Sequence, residues 1–280
     1  FSGGLFRGAL AVSKEYGFAL KDITKAMFDA VSAGVAASDT MTFLGEASRL
    51  AMAGVTTLKS ATMGLTTVMN AYGMSADKAR MVAEVLFTTQ KYGVTTVAEL
   101  SKSLGVVVPF AAAAGISIEE LGAAIATTTR SGLDAAKSVT ALRAAISQMQ
   151  KPAAASRDLF IKFGIPIGSA QLKAVGFTET MRRLNEVYKE SPTVIEKMFG
   201  NVRGLTAIFS LAGDNAEEYQ EILSMVSDAT ERSGNLTDAN ASILESMDTK
   251  LNILSASWTQ FKINIGDSDF FKSLVSEMTD

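Results

Sequence analysis

Two residue patterns in this sequence have the types and spacing that could support catalysis. Ser75 and Lys78 form S-x-x-K, the nucleophile motif of penicillin-recognising enzymes. The adjacent carboxylates Glu119–Glu120 and Glu217–Glu218 could serve as the paired acids of a glycoside hydrolase. However, the companion motifs S-D-N and K-T-G are missing, and adjacent residues on a helix point about 100° apart. We therefore favour roles for these residues as helix caps and first-turn acids.

The residue inventory also argues against catalysis. Histidine and cysteine are both absent from the 280 residues, which removes the commonest general base, the commonest metal ligand, thiolate chemistry and disulfides. The 26 basic and 29 acidic residues are mixed along the chain, and no basic patch indicates nucleic-acid binding. The sequence contains no P-loop and no G-x-G-x-x-G. We expect a protein that is not an enzyme, with no metal, no cofactor and no specific nucleic-acid partner.

A recurring glycine predicts the elements that position these residues. Only four prolines occur in the chain, and abundant Ala, Leu, Met, Lys and Glu favour helix. Glycine followed by an apolar residue marks the predicted helix ends, and the first seven glycines are separated by 17, 20, 19, 20, 22 and 17 residues. Such a glycine takes a left-handed conformation just past a helix, while the next residue folds back onto the last turn. The predicted turns are at Gly17, Gly34, Gly54, Gly73, Gly93, Gly115, Gly132 and Gly164.

Residues two positions after five of these glycines are typical helix N-caps. Ser117 is followed three residues later by Glu120, which completes a capping box. The predicted caps are Thr56, Ser75, Thr95, Ser117 and Asp134. Short connections place consecutive helices side by side, so two helices form a unit of about 37 to 42 residues, in the range of helical-hairpin arrays. The sequence predicts an all-α fold, an array of short antiparallel helices with glycine-capped turns that ends in a long helix.

The uncharged stretch 103–118 could be read as a membrane segment. It is 16 residues long and contains Gly105, Pro109 and Gly115, whereas a spanning helix needs roughly 20 mostly apolar residues. We interpret it as the end of one helix, interrupted at Pro109, followed by a glycine stop and the start of the next helix.

The chain divides into three predicted segments. Residues 1–165 form the helical-hairpin array, residues 166–234 an irregular region of short helices, and residues 235–280 a long C-terminal helix and tail. No glycine or proline interrupts 236–265, which predicts one helix of about 28 residues, roughly 42 Å long, that either packs along the domain or leaves it as a coiled-coil arm. Its apolar residues follow a 3.5-residue seam at Met247, Leu251, Leu254, Trp258, Phe261 and Ile265. We expect the chain to be a fragment of a longer protein.

Several stretches together resemble the core region of the tailed-phage tail tape measure proteins. The resemblance is carried by "GISIEELGAAIATTTRSGLDAAKSVTALRAAISQMQKPAAASRDLFIKFGI", "VIEKMFGNVRGLTAIFSLAG" and "SMDTKLNILSASWTQFKINIGD". It extends over most of the chain, from about residue 9 to residue 267, and the order of the motifs is more specific than any single motif.

The resemblance implies structural work inside a phage tail. Tape measure proteins occupy the tail lumen, organise tube assembly, set tail length and leave during DNA ejection. The implied partners are the tail tube protein, tail assembly chaperones and baseplate or tail-tip proteins, together with self-association. The implied locations are the virion tail lumen and, during assembly, the host cytoplasm.

Two alternatives remain open from the sequence. One is a helical scaffold or adaptor that presents a face to a protein partner. The other is a membrane-active segment that makes transient contact with the host envelope during ejection. Neighbouring tail genes would favour the phage role, and liposome binding by the isolated segment would favour the membrane role.

Overall fold

The computed structural model describes residues 3–266, without the side chains of residues 3–5, 214, 247–248 and 259–266. Within that range the chain forms seventeen α-helices and three short 3-10 helices and contains no strand, so the predicted all-α class is confirmed. The 3-10 helices are Ala76–Lys78, Leu104–Val106 and Gly213–Asn215. The α-helices are α1 Gly3–Tyr16, α2 Leu20–Ser32, α3 Thr40–Ala53, α4 Leu58–Tyr72, α5 Ala79–Tyr92, α6 Val97–Ser103, α7 Val108–Ala114, α8 Ile118–Arg130, α9 Ala135–Gln150, α10 Ala154–Lys162, α11 Gly168–Val175, α12 Phe177–Glu190, α13 Pro192–Met198, α14 Val202–Leu211, α15 Ala216–Ser227, α16 Ala229–Leu244 and α17 Met247–Gly266.

The first nine helices pack as two layers, and the chain alternates between them. One layer contains α1, α3, α5 and α8, each packed on the next. The other contains α2, α4, the bent pair α6 and α7, and α9. Pro109 lies in the first turn of α7, where its missing N–H costs no helical hydrogen bond, and the helix axis bends by 61° between α6 and α7.

The last three helices return across the first layer and form a third row. α15 packs on α8, α16 on α5 and α3, and α17 on α1. Between the array and this return row, α10 to α13 form the far end of the molecule, and α14 packs closely on α9. The first and last described helices are therefore neighbours.

The middle position of α8 explains its composition of small residues. Because α5, α9, α14 and α15 all pack on it, ten of its thirteen residues are buried. A Cβ added to Gly122 would lie 2.6 Å from Oγ1 of Thr89, so glycine permits the close approach of α5. One continuous core extends from Ala9 to Leu236. The division of the chain into three segments stays a prediction.

The prediction of one helix over residues 236–265 is wrong. The structure ends α16 at Leu244 and begins α17 at Met247. Ser246 starts the second helix, because its Oγ accepts the N–H of Thr249 at 3.3 Å. The longest described helix is α17, with 20 residues.

In the described residues, no single helix is long and apolar enough to cross a membrane. Of the described helices, only the bent pair formed by residues 97–106 and 108–114 is long and apolar enough when its two halves are taken together.

Candidate functional site

The predicted glycine turns fall into two geometric classes. Six of the eight predicted turn glycines have a positive φ, between 65° and 99°. They are Gly17, Gly34, Gly73, Gly115, Gly132 and Gly164. All but Gly17 carry the paired hydrogen bonds of a Schellman motif. At Gly115, for example, the N–H of Ile116 donates to the carbonyl of Ala111 at 3.0 Å and the glycine N–H donates to Ala112 at 3.1 Å.

The prediction of a left-handed glycine is wrong at Gly54 and Gly93, whose φ values are −79° and −103°. These glycines serve close packing instead. A Cβ on Gly54 would lie 2.6 Å from Cγ2 of Val97, and one on Gly93 would lie 2.9 Å from Oγ1 of Thr129. In the turn after α3, Val55 rather than Gly54 adopts the left-handed conformation, with a φ of 47°.

The capping residues shift with the glycine class. After the left-handed glycines Gly115 and Gly132, the cap lies two residues later, at Ser117 and Asp134. Oγ of Ser117 accepts the N–H of Glu120 at 3.1 Å, and Asp134 accepts the N–H of Lys137 at 2.7 Å. Where the glycine is not left-handed, at Gly54 and Gly93, the turn is one residue longer. The predicted caps Thr56 and Thr95 are therefore wrong. The caps there are Thr57 and Thr96.

Ser75 is a further correction among the predicted caps. It precedes a 3-10 helix and makes no side-chain capping bond. Its hydroxyl donates to the carboxylate of Asp77 instead, and Lys78 also pairs with Asp77. The S-x-x-K pattern therefore holds a surface turn together.

The turns lie in two rows. In the first turn row, Phe18 lines a cleft with Thr57, and the N–H of Val94 donates to Oγ1 of Thr129 at 3.0 Å. The first turn row connects the turns after α1, α3, α5 and α8. In the second turn row, Nδ2 of Asn70 donates to the carbonyl of Ala33 at 2.9 Å. The second row connects the turns after α2, α4 and α7. The carboxyl ends of α1, α3, α5 and α8 thus lie along one row, and those of α2, α4 and α7 lie along the other. The predicted antiparallel arrangement of the helices stays a prediction.

Glu120 joins two distant parts of the chain. One carboxylate oxygen accepts the N–H of Ser117 at 2.9 Å and completes the capping box of α8. The other accepts from Thr178, at 3.1 Å from its N–H and 2.8 Å from its Oγ1. One acidic side chain thus binds the first turns of α8 and α12. Sequence reasoning found the capping box but missed the link to Thr178, because no local pattern indicates a contact across 58 residues.

Two tyrosines near this carboxylate have raised pKa values. Burial is the main cause for both; the charges of Glu119 and Glu120 add to the rise of the pKa of Tyr72, and Glu120 adds to that of Tyr219. Tyr72 donates its hydroxyl to the carbonyl of Ile116 at 2.9 Å, which ties adjacent turns of the second turn row. The neutral phenol of Tyr72 thus acts as a hydrogen-bond donor, and that of Tyr219 acts as a buried packing group.

Two further carboxylates, Glu218 and Glu179, are also held in structural contacts. Glu218 pairs with Arg130 at 2.5 Å, linking α15 to the end of α8. A cleft of about 650 Å³ lies between α12 and α15, and Glu179 lines it. Arg182 and Arg183 hold that carboxylate and lower its pKa to about 2. Among the described residues, no group of three or more acidic side chains could hold a metal ion.

The predicted seam lies on the outer side of α17. Leu251, Leu254 and Trp258 are 55%, 66% and 56% exposed. The helix contacts the end of α1 through its other side, where Ile253 approaches Gly17. The side chains of Met247, Phe261 and Ile265 lie outside the described part of the chain. A surface of aligned apolar side chains is suited to binding a helix or a protein face.

Comparisons with known proteins relate this chain to two phage proteins. The chain is 27% identical over 267 residues to the "Probable tape measure protein" of Clostridium phage phiCD119, an alignment that covers 91% of this chain and 28% of that protein. It is 22% identical over 176 residues to the "Tape measure protein" of Pneumococcus phage Dp-1, covering 63% of this chain and 15% of that protein. The chain thus spans about a quarter of the first relative. No solved structure matches it.

A protein family described as phage-related minor tail protein matches residues 7–200, well over half of the chain. The matched region begins in α1 and ends just after α13, so it includes both layers of the array and the turns between them. On this match the chain belongs to the phage-related minor tail protein family.

Proposed function

We propose that this chain is a folded segment of a tail tape measure protein, a scaffold in the tail lumen that organises tail assembly and sets tail length. The alignment of 91% of the chain with the probable tape measure protein of a phage is the observation that supports this role. The protein leaves the lumen during DNA ejection, and it is present in the host cytoplasm during assembly.

The packing of the segment supports a scaffolding role over a role as an extended ruler. Because α17 packs on α1, the described chain ends close to where it begins. A compact body of this kind contributes little axial length per residue, whereas an extended helix contributes about 1.5 Å per residue. The segment therefore acts as a folded domain that binds tail components. Tail length is set by extended parts of the full protein.

The proposed partners are the tail tube protein, tail assembly chaperones, baseplate or tail-tip proteins and further copies of this chain. The outward seam of α17 is the surface we assign to self-association, because Leu251 and Leu254 are exposed at helical spacing. Transient membrane contact during ejection remains a prediction.

Cysteine labelling tests the proposed location, because these 280 residues contain no cysteine and add no background of their own. Val94 is 69% exposed, so a Val94→Cys chain should react rapidly with a polymer-linked maleimide when free. In intact phage tails the tube wall should exclude the reagent, and reactivity should return after DNA ejection is triggered. Phage with the unsubstituted chain are the control. Equal labelling in free protein and intact tails would place the segment outside the lumen and contradict the proposal.

A further inference from the structure

The number of apolar side chains that the return row buries decreases from α15 to α17. α15 buries Tyr219, Ile222 and Val226 against the array. α16 buries three polar residues and a single large apolar one, Leu236. None of the described side chains of α17, from residue 249 to residue 258, is buried. Apolar burial is the main source of stable packing. The free energy that holds each helix on the rest of the molecule therefore decreases from α15 to α17.

The buried face of α16 is also incompletely hydrogen-bonded. Nε of Arg232, Nδ2 of Asn235 and Oδ1 of Asn240 are buried, and none has a partner among the described residues. Arg232 binds the carbonyls of Val226 and Ser227 through Nη1, at the end of α15. An unpartnered buried polar atom is destabilising and regains water when its interface opens.

The surface beneath α16 is polar as well. Arg80 of α5 donates to Oγ of Ser233 at 3.0 Å, and Lys91 donates to Oδ1 of Asn235. Between these two positions on the same face of α5 lies Thr88, whose buried hydroxyl has no partner among the described residues. Opening this interface exposes polar groups that water can satisfy, and leaves the apolar core between the two layers covered.

We propose that residues 229–266, α16 with α17, form a strap that detaches from the α3–α5 face as a unit while residues 3–227 stay folded. The strap pivots at Asp228, the single residue between α15 and α16. Release separates α17 from α1 and uncovers a polar surface on α5. The inference rests on packing alone and goes beyond the tape measure role.

Two single-cysteine variants of the 280-residue chain test the strap. Thr88 and Thr62 are both buried, and neither hydroxyl has a partner among the described residues, but Thr62 lies on α4, in the layer opposite to the one that the return row crosses. Thr88→Cys should react with a thiol reagent at least about tenfold faster than Thr62→Cys, the factor given by a 1.4 kcal/mol difference in opening free energy. Its rate should depend more weakly on denaturant, because local opening exposes less surface than global unfolding. Equal rates with equal denaturant dependence would overturn the proposal.

Asn240→Leu supplies the opposite perturbation, because it removes a buried unpartnered oxygen and adds apolar contact. In the Thr88→Cys background it should slow labelling about tenfold or more. Unchanged labelling of Thr88→Cys would contradict the strap. Hydrogen exchange on the unsubstituted chain is an independent measurement if Thr88→Cys does not fold. Amides of residues 229–244 should exchange faster than those of residues 216–227, and equal protection of the two helices would overturn the proposal.

Discussion

Val55 occupies the conformation that the preceding glycine was expected to adopt. Its φ of 47° places a β-branched residue in the left-handed region, which costs a non-glycine residue roughly 1 to 2 kcal/mol. Gly54 keeps an ordinary φ, because the close approach of Val97 requires the absence of a side chain there. A glycine can therefore be required either for a left-handed φ or for close packing without a side chain. A sequence pattern shows the glycine but not which of the two requirements it meets.

We predict that Val55→Gly raises the free energy of unfolding by about 0.5 to 1 kcal/mol. The substitution relieves the left-handed strain, and the extra flexibility of glycine in the unfolded chain offsets part of that gain. Val55 is 84% exposed, so little packing is lost. Urea denaturation measures the change. Val94→Gly is the matched control: Val94 also follows a glycine and is exposed but has no positive φ, so it should lose stability. A loss at both positions would contradict strain at Val55.

Glu120 and Glu99 offer a second matched pair. Both complete a capping box, but only Glu120 also binds Thr178 at the start of α12. We predict that Glu120→Ala lowers the free energy of unfolding by about 2 kcal/mol more than Glu99→Ala, because charge-assisted hydrogen bonds contribute about 1.5 to 3 kcal/mol. A double-mutant cycle with Thr178→Val should recover as coupling the part of that difference that the hydroxyl bond supplies, because the backbone N–H of residue 178 still donates to the carboxylate. No coupling would mean that the Thr178 hydroxyl adds nothing to the link between the two helices.

At the scale of elements, the break between α16 and α17 shows that a helix can end where the sequence has neither glycine nor proline. The sequence "ILESMDTK" contains neither residue, yet a helix ends at Leu244 and another starts after Ser246. The available signal was a serine followed three residues later by Thr249, whose N–H it accepts. The same kind of signal identified Ser117 and Asp134, where a glycine drew attention to it.

The orientation of α17 gives a prediction for two neighbouring residues. Leu254 belongs to the outward seam, whereas Ile253 contacts the end of α1. Leu254→Glu should change the free energy of unfolding by less than about 0.5 kcal/mol, as expected for an exposed position. It should also abolish concentration-dependent association in sedimentation velocity. Ile253→Glu should loosen the docking of α17 and leave association intact. Association that survives Leu254→Glu would place self-contact on another surface.

For the whole molecule, local patterns predicted the helical class and most turns but could not predict the third row. Periodicity indicates that a helix has an apolar face, and short loops indicate which helix comes next to it. Neither indicates that α15 packs on α8, since the partner lies about 90 residues away in the chain. The all-helical class and the phage-tail family are confirmed. The contact of α17 with α1 depended on the path of the chain through α10 to α14, where the glycine spacing gives no guidance.

The contact between the first and last described helices decides how the segment should affect tail length. Residues 3–266 would span roughly 400 Å as one extended helix at 1.5 Å per residue. In the folded segment the two ends are neighbours, so removing the whole segment joins points that are already close.

We therefore predict that an in-frame deletion of residues 3–266 in the phage gene shortens the tails that form by far less than roughly 400 Å. Fewer tails should form, because we propose that the deleted body organises assembly. A substitution that only unfolds the segment, such as Gly122→Leu in the crowded contact between α8 and α5, should reduce assembly to a similar extent. Electron microscopy of purified tails measures both number and length. Tails shortened by about 1.5 Å per deleted residue would mean that the segment is extended in the lumen and acts as part of the ruler itself. Normal numbers of normal-length tails from both variants would argue against any role of the segment in assembly.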